Sequence, residues 1–142
     1  MSPGVRLATL RVGGALLMVL GALHLAVTPI IARLIAQDTS PAGAEWLTPP
    51  MLLNHVVVGI LLLPLGGLTF YAAPGAARGE PWALVVTRVT TIAVAALPVT
   101  VFVFMGRRYF AATPFVAATI VLCAACLALL AAAFWPAPRH VP

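Results

Sequence analysis

Four long stretches without a charged side chain dominate the pattern of apolar and polar positions along the chain. They run from Val12 to Ala32, from Leu47 to Ala77, from Val89 to Gly106 and from Tyr109 to Pro138. Each contains the roughly 18 to 20 residues that a helix needs to cross about 30 Å of hydrocarbon. Because lipid offers no partner for backbone N–H and C=O groups, such stretches favour helices over isolated strands. The pattern predicts an all-α integral membrane protein with four transmembrane helices.

Each predicted helix start lies at or near a proline that follows a residue suited to capping a helix N-terminus. Four such pairs are Ser2-Pro3, Thr48-Pro49, Glu80-Pro81 and Thr113-Pro114. Proline is well placed at the first helical position, where its missing N–H has no helical partner to lose. We therefore predict helices over about 5–35, 50–73, 82–106 and 114–135, within a single domain covering residues 1–142.

The connections between these helices are short, so consecutive helices should be antiparallel neighbours in an up-down-up-down bundle. The first connection contains a fifth pair of this kind, Ser40-Pro41. We interpret that pair as the start of a short interfacial turn carrying Glu45 and Trp46.

Composition agrees with the membrane interpretation. The chain has 142 residues, of which 63% are hydrophobic and 8% charged, and its mean hydropathy is +1.11. A soluble protein of this size needs more polar surface. The basic residues are all arginines near the ends of apolar stretches, so we expect no nucleic-acid partner. The expected partners are the lipid bilayer and, beyond it, other membrane subunits or a second copy of the chain.

Arginine distribution predicts the orientation. With the N-terminus inside, five arginines lie on the cytoplasmic side and three on the outer side, the latter being Arg33, Arg107 and Arg108. Cytoplasmic connections carry the excess of basic residues. This bias predicts a multi-pass protein of the cell inner (plasma) membrane with cytoplasmic N- and C-termini.

His24 and His55 are the most informative polar residues inside the predicted spans, where polar side chains are costly. They lie at similar depths in the first two helices, and each shares a helical face with glycines that let a backbone or a flat ligand approach. Two inward imidazoles are what a bis-histidine haem b site requires. The outer arginines Arg33, Arg107 and Arg108 are candidates for pairing with haem propionates.

Other interpretations of the two histidines remain open. They can be structural, with a hydrogen bond to Asn54, Thr28 or a backbone carbonyl, or they can bind a quinone-like or lipid ligand. A site for a metal ion alone is disfavoured, because no carboxylate lies inside a predicted span to complete the ligand set.

Three further features bear on function. Cys123 and Cys126 form a CxxC pair that suits either a thiol/quinone redox enzyme or simple helix packing. Arg88, inside the third predicted helix, suits either snorkelling to the interface or a site for an anionic lipid or ligand. The acids Asp38 and Glu45 lie in predicted loops, which weakens a proton-coupled transporter.

The sequence therefore favours a non-catalytic binding or accessory subunit with a hydrophobic-ligand or haem site near His24 and His55. The alternatives are a membrane thiol/quinone redox enzyme using Cys123 and Cys126, and a small transporter.

Overall fold

A computed structural model describes residues 1–38, 41–104 and 113–136. In these ranges the chain is helical throughout, apart from short ends and one turn, and forms four helices. They are α1 (Pro3–Asp38), α2 (Pro41–Arg78), α3 (Pro81–Phe104) and α4 (Thr113–Phe134). The predicted all-α fold with four helices is confirmed.

Three of the four predicted helix starts lie within two residues of the observed ones. At α1, Ser2 acts as the N-cap, because its Oγ accepts a hydrogen bond from the backbone N–H of Val5 at 3.3 Å. At α3, the carbonyl of Glu80 accepts the first helical bond, from the N–H of Leu84 at 3.0 Å. At these two helices the residue before proline coincides with the observed start, whereas Thr48-Pro49 lies inside α2 (Pro41–Arg78).

The start of α2 differs from the sequence-based prediction. The helix begins at Pro41 and continues through Thr48 and Pro49, so the segment with Glu45 and Trp46 is part of α2. Pro49 removes the donor for the carbonyl of Glu45, but both residues are exposed, so that carbonyl lies where polar surroundings can satisfy it.

The connection between α2 and α3 is a tight turn of two residues, Gly79 and Glu80. Gly79 has φ of 83°, a left-handed conformation that glycine adopts without strain. Its N–H donates to the carbonyl of Ala76 at 3.1 Å, and the N–H of Glu80 donates to that of Gly75 at 2.9 Å. This is a Schellman motif, and it extends α2 five residues beyond the predicted end at 73.

The Glu80 carboxylate closes the same turn. It accepts hydrogen bonds from Arg78 Nε at 2.7 Å and from Trp82 Nε1 at 2.8 Å. These two bonds lower the pKa of Glu80 below its ordinary value, because both favour the ionised form. The bond from Arg78 has the larger effect.

The helices group into two compact units. The first unit comprises residues 1–14 and 68–142, and the second comprises residues 15–67. The first unit therefore contains the start of α1, the end of α2, and the described parts of α3 and α4, whereas the second is a hairpin made from the rest of α1 and α2.

Threonines and alanines make up much of the interior of the first unit, together with the apolar side chains Leu10, Val94, Leu129 and Cys126. Thr69 and Thr90 are buried, and their hydroxyl oxygens lie 2.9 Å apart across the α2–α3 contact. The other fully or nearly buried residues in this unit include the threonines and alanines Thr87, Thr91, Thr119, Ala72, Ala73, Ala76, Ala83, Ala132 and Ala133. Large apolar side chains such as Val85 and Leu127 point outward instead, with exposures of 59% and 68%. The exposure of many large apolar side chains is unusual for a water-soluble protein and suits contact with lipid.

Three helical segments are long and apolar enough to cross a membrane: Pro3–Gln37, Glu45–Arg78 and Pro81–Val103. In the described part of α4, the apolar segment Thr119–Phe134 is shorter. The lengths and composition of the three segments are consistent with a membrane protein.

Candidate functional site

The second unit brings His24 of α1 and His55 of α2 into direct contact. Their ring centroids lie 4.7 Å apart and their planes differ by 27°, so the imidazoles are stacked. Both side chains are half-buried. The predicted proximity of the two rings is thus observed, as a contact between ring faces.

Two glycines bring the helices together beside the histidines. A Cβ added at Gly21 would lie 2.8 Å from the carbonyl oxygen of Gly59, and a Cβ added at Gly59 would lie 3.0 Å from that of Gly21. The space left by the missing side chains is therefore occupied by the backbone of the neighbouring helix. Of the two roles the sequence left open for these glycines, close helix approach is the one observed.

The ring of His24 is oriented by its own helix. Its Nδ1 lies 3.1 Å from the carbonyl oxygen of Leu20. A carbonyl only accepts, so Nδ1 carries the proton, and in the neutral ring Nε2 is left as an acceptor. The hydroxyl of Thr28 donates to the carbonyl of His24 at 2.9 Å, which keeps Thr28 engaged with its own helix.

His55 has an unsatisfied polar atom. Its Nε2 is buried and has no hydrogen-bond partner among the described residues. Leaving a buried polar atom unpaired costs about 1–3 kcal/mol, so such an atom in a native structure points to a missing partner. The partner can be a water molecule or a polar group of a ligand.

The remaining sequence-predicted site residues do not join this pair. Asn54 and Arg33 are exposed, so neither contributes a buried bond to the histidines. Arg107 and Arg108 lie outside the described residues.

Stacked rings do not match the geometry of a bis-histidine haem. Axial ligands point a ring nitrogen, along the plane of the ring, at an iron that lies between them. Here the faces of His24 and His55 are in contact, and Gly21 and Gly59 leave no space between the backbones for a porphyrin. A haem at this position would require the two helices to separate.

The cysteine pair lies in the first unit, on α4. Cys126 is 4% exposed, its Sγ lies 3.9 Å from the carbonyl oxygen of Val94, and Cys123 is half-buried. This environment suits cysteine as a small packing residue in the α3–α4 contact, and a substrate thiol has little access to Cys126.

Sequence reasoning missed a second polar cluster, where two arginines meet the end of α4. Arg6 is only 3% exposed, and its Nη2 donates to the carbonyl of Ala133 at 3.1 Å. Arg88 Nε donates to the same oxygen at 3.3 Å. In the sequence, Arg6 is one of the arginines at the predicted cytoplasmic side, before the first apolar stretch, and the local pattern gives no sign of its burial.

Comparison of the chain with models of protein families, with curated proteins and with solved structures finds no match. Among the described residues, the stacked histidines and the paired arginines are therefore the two features that bear on function.

Proposed function

We propose that the protein is a multi-pass protein of the inner (plasma) membrane in which all four helices cross the bilayer, up-down-up-down, with cytoplasmic termini. The support comes from the outward large apolar side chains and the interior of threonine and alanine in the first unit. At 22 residues, α4 has sufficient length for a span. The arginine bias of the sequence supports the orientation.

Within this membrane protein, we propose that the helical hairpin of the second unit binds a lipophilic ligand through His24 and His55, without catalysing a reaction. The observation that carries this proposal is the buried, unpartnered Nε2 of His55 beside the stacked ring of His24. A lipophilic molecule with a carbonyl or hydroxyl head group, such as a quinone, reaches this depth from the bilayer and supplies the missing hydrogen bond. The role is that of a binding or accessory subunit.

The quinone-like ligand is preferred to haem b because it requires no space between the rings. A head group needs to displace only the side chains that cover Nε2 at the edge of His55, whereas a porphyrin must separate the two helices at Gly21 and Gly59. The thiol/quinone redox enzyme and the small transporter remain alternatives that no specific observation favours.

The test is ligand retention by the full-length protein purified in mild detergent. Native mass spectrometry and an organic extract analysed by absorbance should reveal a co-purifying quinone, or binding of an added short-chain ubiquinone. The variant His55→Leu should weaken binding about tenfold, since the lost hydrogen bond contributes about 1.5 kcal/mol. The matched control is Asn54→Leu, which removes a polar, exposed side chain from the adjacent position and should leave binding unchanged.

An absorption spectrum of the same sample, oxidised and then reduced with dithionite, separates the two ligand classes. If the sample showed a Soret band and split reduced bands, and if these were lost in His55→Leu, the ligand would be haem and not a quinone. Equal quinone binding by wild type, His55→Leu and Asn54→Leu would refute a site at the histidines.

A further inference from the structure

We propose that the first unit binds an anionic lipid, with the phosphate held by Arg88 and Arg6 and one acyl chain lying in the groove between α3 and α4. The proposal is independent of the histidine site and concerns different residues. It rests on the juxtaposition of a cationic cluster with an apolar groove on one face of α3.

The cationic end of the site has more positive charge than its protein partners neutralise. Two guanidinium groups lie within 3.3 Å of the same carbonyl oxygen, that of Ala133. Among residues 1–38, 41–104 and 113–136 the one ion pair joins Arg78 to Glu80, so neither Arg6 nor Arg88 meets a carboxylate there.

Capping of α4 does not account for both arginines. The last carbonyls of a helix lack helical donors, and one arginine is enough to satisfy that of Ala133. Arg6 is nevertheless only 3% exposed, and its buried Nε has no hydrogen-bond partner in the described part of the chain. A second, anionic partner explains both the surplus charge and this unsatisfied donor.

Arg88 is placed to present that charge to a ligand. Its side chain is half-buried, and its guanidinium lies over the ring of Phe134, 5.4 Å from the ring centroid. With Nε turned to Ala133, the terminal amino groups of a planar guanidinium are available in the geometry that suits a phosphate.

An open apolar groove of about 470 Å³ lies farther along α3, and its nearest lining residue, Ile92, is one helical turn from Arg88. Its lining residues are Ile92, Ala95, Ala96, Val99, Thr100 and Leu130. Together with Arg88, the positions 92, 95 and 99 follow the spacing of four, three and four residues that defines one helical face. On α4, Leu130 precedes Phe134 by one turn, so the aromatic ring beneath Arg88 continues the same surface.

The length of this face matches a lipid chain. From Arg88 to Val99 the helix rises about 17 Å at 1.5 Å per residue. One leaflet of hydrocarbon is about 15 Å thick, half of a core of about 30 Å. A phosphate at Arg88 therefore places an acyl chain along the groove to about the middle of the bilayer.

The experiment uses the full-length protein, delipidated in detergent and titrated with phosphatidylglycerol or with phosphatidylcholine of the same acyl chains. Native mass spectrometry counts bound lipids and gives the dissociation constant of the first. We expect one phosphatidylglycerol to bind at least about fivefold more tightly than phosphatidylcholine. Inorganic phosphate at millimolar concentration should not displace it, because free phosphate makes no contact with the groove.

Two pairs of variants locate the site. Arg88→Gln should abolish the preference for phosphatidylglycerol, whereas Arg11→Gln, which removes an equal charge from an exposed side chain, should preserve it. Ala96→Trp fills the groove and should weaken both lipids, whereas Ala93→Trp, on an exposed position outside the groove, should not.

Three results would overturn the proposal. They are equal affinity for the two lipids, an equal effect of Arg88→Gln and Arg11→Gln, and displacement of the lipid by inorganic phosphate. The last result would assign the arginines to a free anion and leave the groove without a role.

Discussion

Substitution of Gly21 by alanine tests the helix contact on which the histidine pair depends. The added Cβ would lie 2.8 Å from the Gly59 carbonyl oxygen, and 3.1 Å from both Leu62 Cβ and Leu63 N. Two of these neighbours are backbone atoms, so relief requires the helices to move apart. Overpacking of this kind costs about 1–3 kcal/mol.

Gly67 provides the matched control on the same hairpin. A Cβ added there meets nothing closer than the Sδ of Met18, at 4.0 Å. Alanine in place of glycine in a helix gains about 1 kcal/mol from backbone entropy, and that gain applies to both positions. We therefore expect Gly67→Ala to be neutral or stabilising, and Gly21→Ala to be less stable than Gly67→Ala by about 1–3 kcal/mol.

The measurement is the free energy of unfolding in mixed detergent and sodium dodecyl sulfate micelles, followed by circular dichroism for wild type and both variants. Comparison of the two variants cancels the helix-propensity gain, so the difference reports packing alone. If Gly21→Ala and Gly67→Ala changed stability equally, the close contact between Gly21 and Gly59 would not exist in solution, and the stacking of the histidines would lose its structural basis.

Three further outcomes are expected. The double variant His24→Ala/His55→Ala should lose less stability than the sum of the two single variants, because the rings contact each other. Additive losses in the same unfolding assay would contradict this. If a ligand is bound, the double variant should retain less of it than either single variant. The lowered pKa of Glu80 means that its contribution to stability is present above the ordinary glutamate pKa of about 4.3 and is lost as the pH falls through the lower folded-state value; Glu80→Gln should flatten that part of the pH–stability curve, and an unchanged curve would refute the assignment. A reporter fused after residue 142 should be active only as a cytoplasmic fusion, and periplasmic activity would invert the proposed orientation.

Local signals in the sequence were enough for three helix starts but not for the fourth. Ser40-Pro41 and Thr48-Pro49 carry the same local signal eight positions apart, and nothing in either pair decides which one begins α2. The structure extends α2 through Pro74 and Gly75 to Arg78, and the left-handed residue that follows the helix is Gly79.

The candidate site was predictable in position but not in geometry. Depth along two antiparallel helices was sufficient to bring His24 and His55 together. Ring orientation depends on the rotation of each helix and on its separation from the next, and these are fixed by the contact of Gly21 with Gly59. The stacking of the two rings therefore depends on tertiary packing, and residue spacing in the sequence cannot predict it. The same holds for the poor fit to haem.

The burial of Arg6 likewise depends on tertiary packing, so the local sequence could not predict it. Its partner Ala133 lies 127 positions away in the sequence, so local pattern shows only a basic residue near a helix start. A buried charge costs several kcal/mol unless it is paired and its donors are satisfied. One carbonyl satisfies one of the five N–H groups of a guanidinium, and the proximity of Arg88 adds repulsion instead of relief. An anion at this end of α4 accepts hydrogen bonds from both guanidinium groups. It therefore satisfies the free donors of Arg6 and offsets the repulsion between Arg6 and Arg88. The stability of the first unit should for that reason rise when phosphatidylglycerol replaces phosphatidylcholine in the micelle, and the increase should vanish in Arg88→Gln.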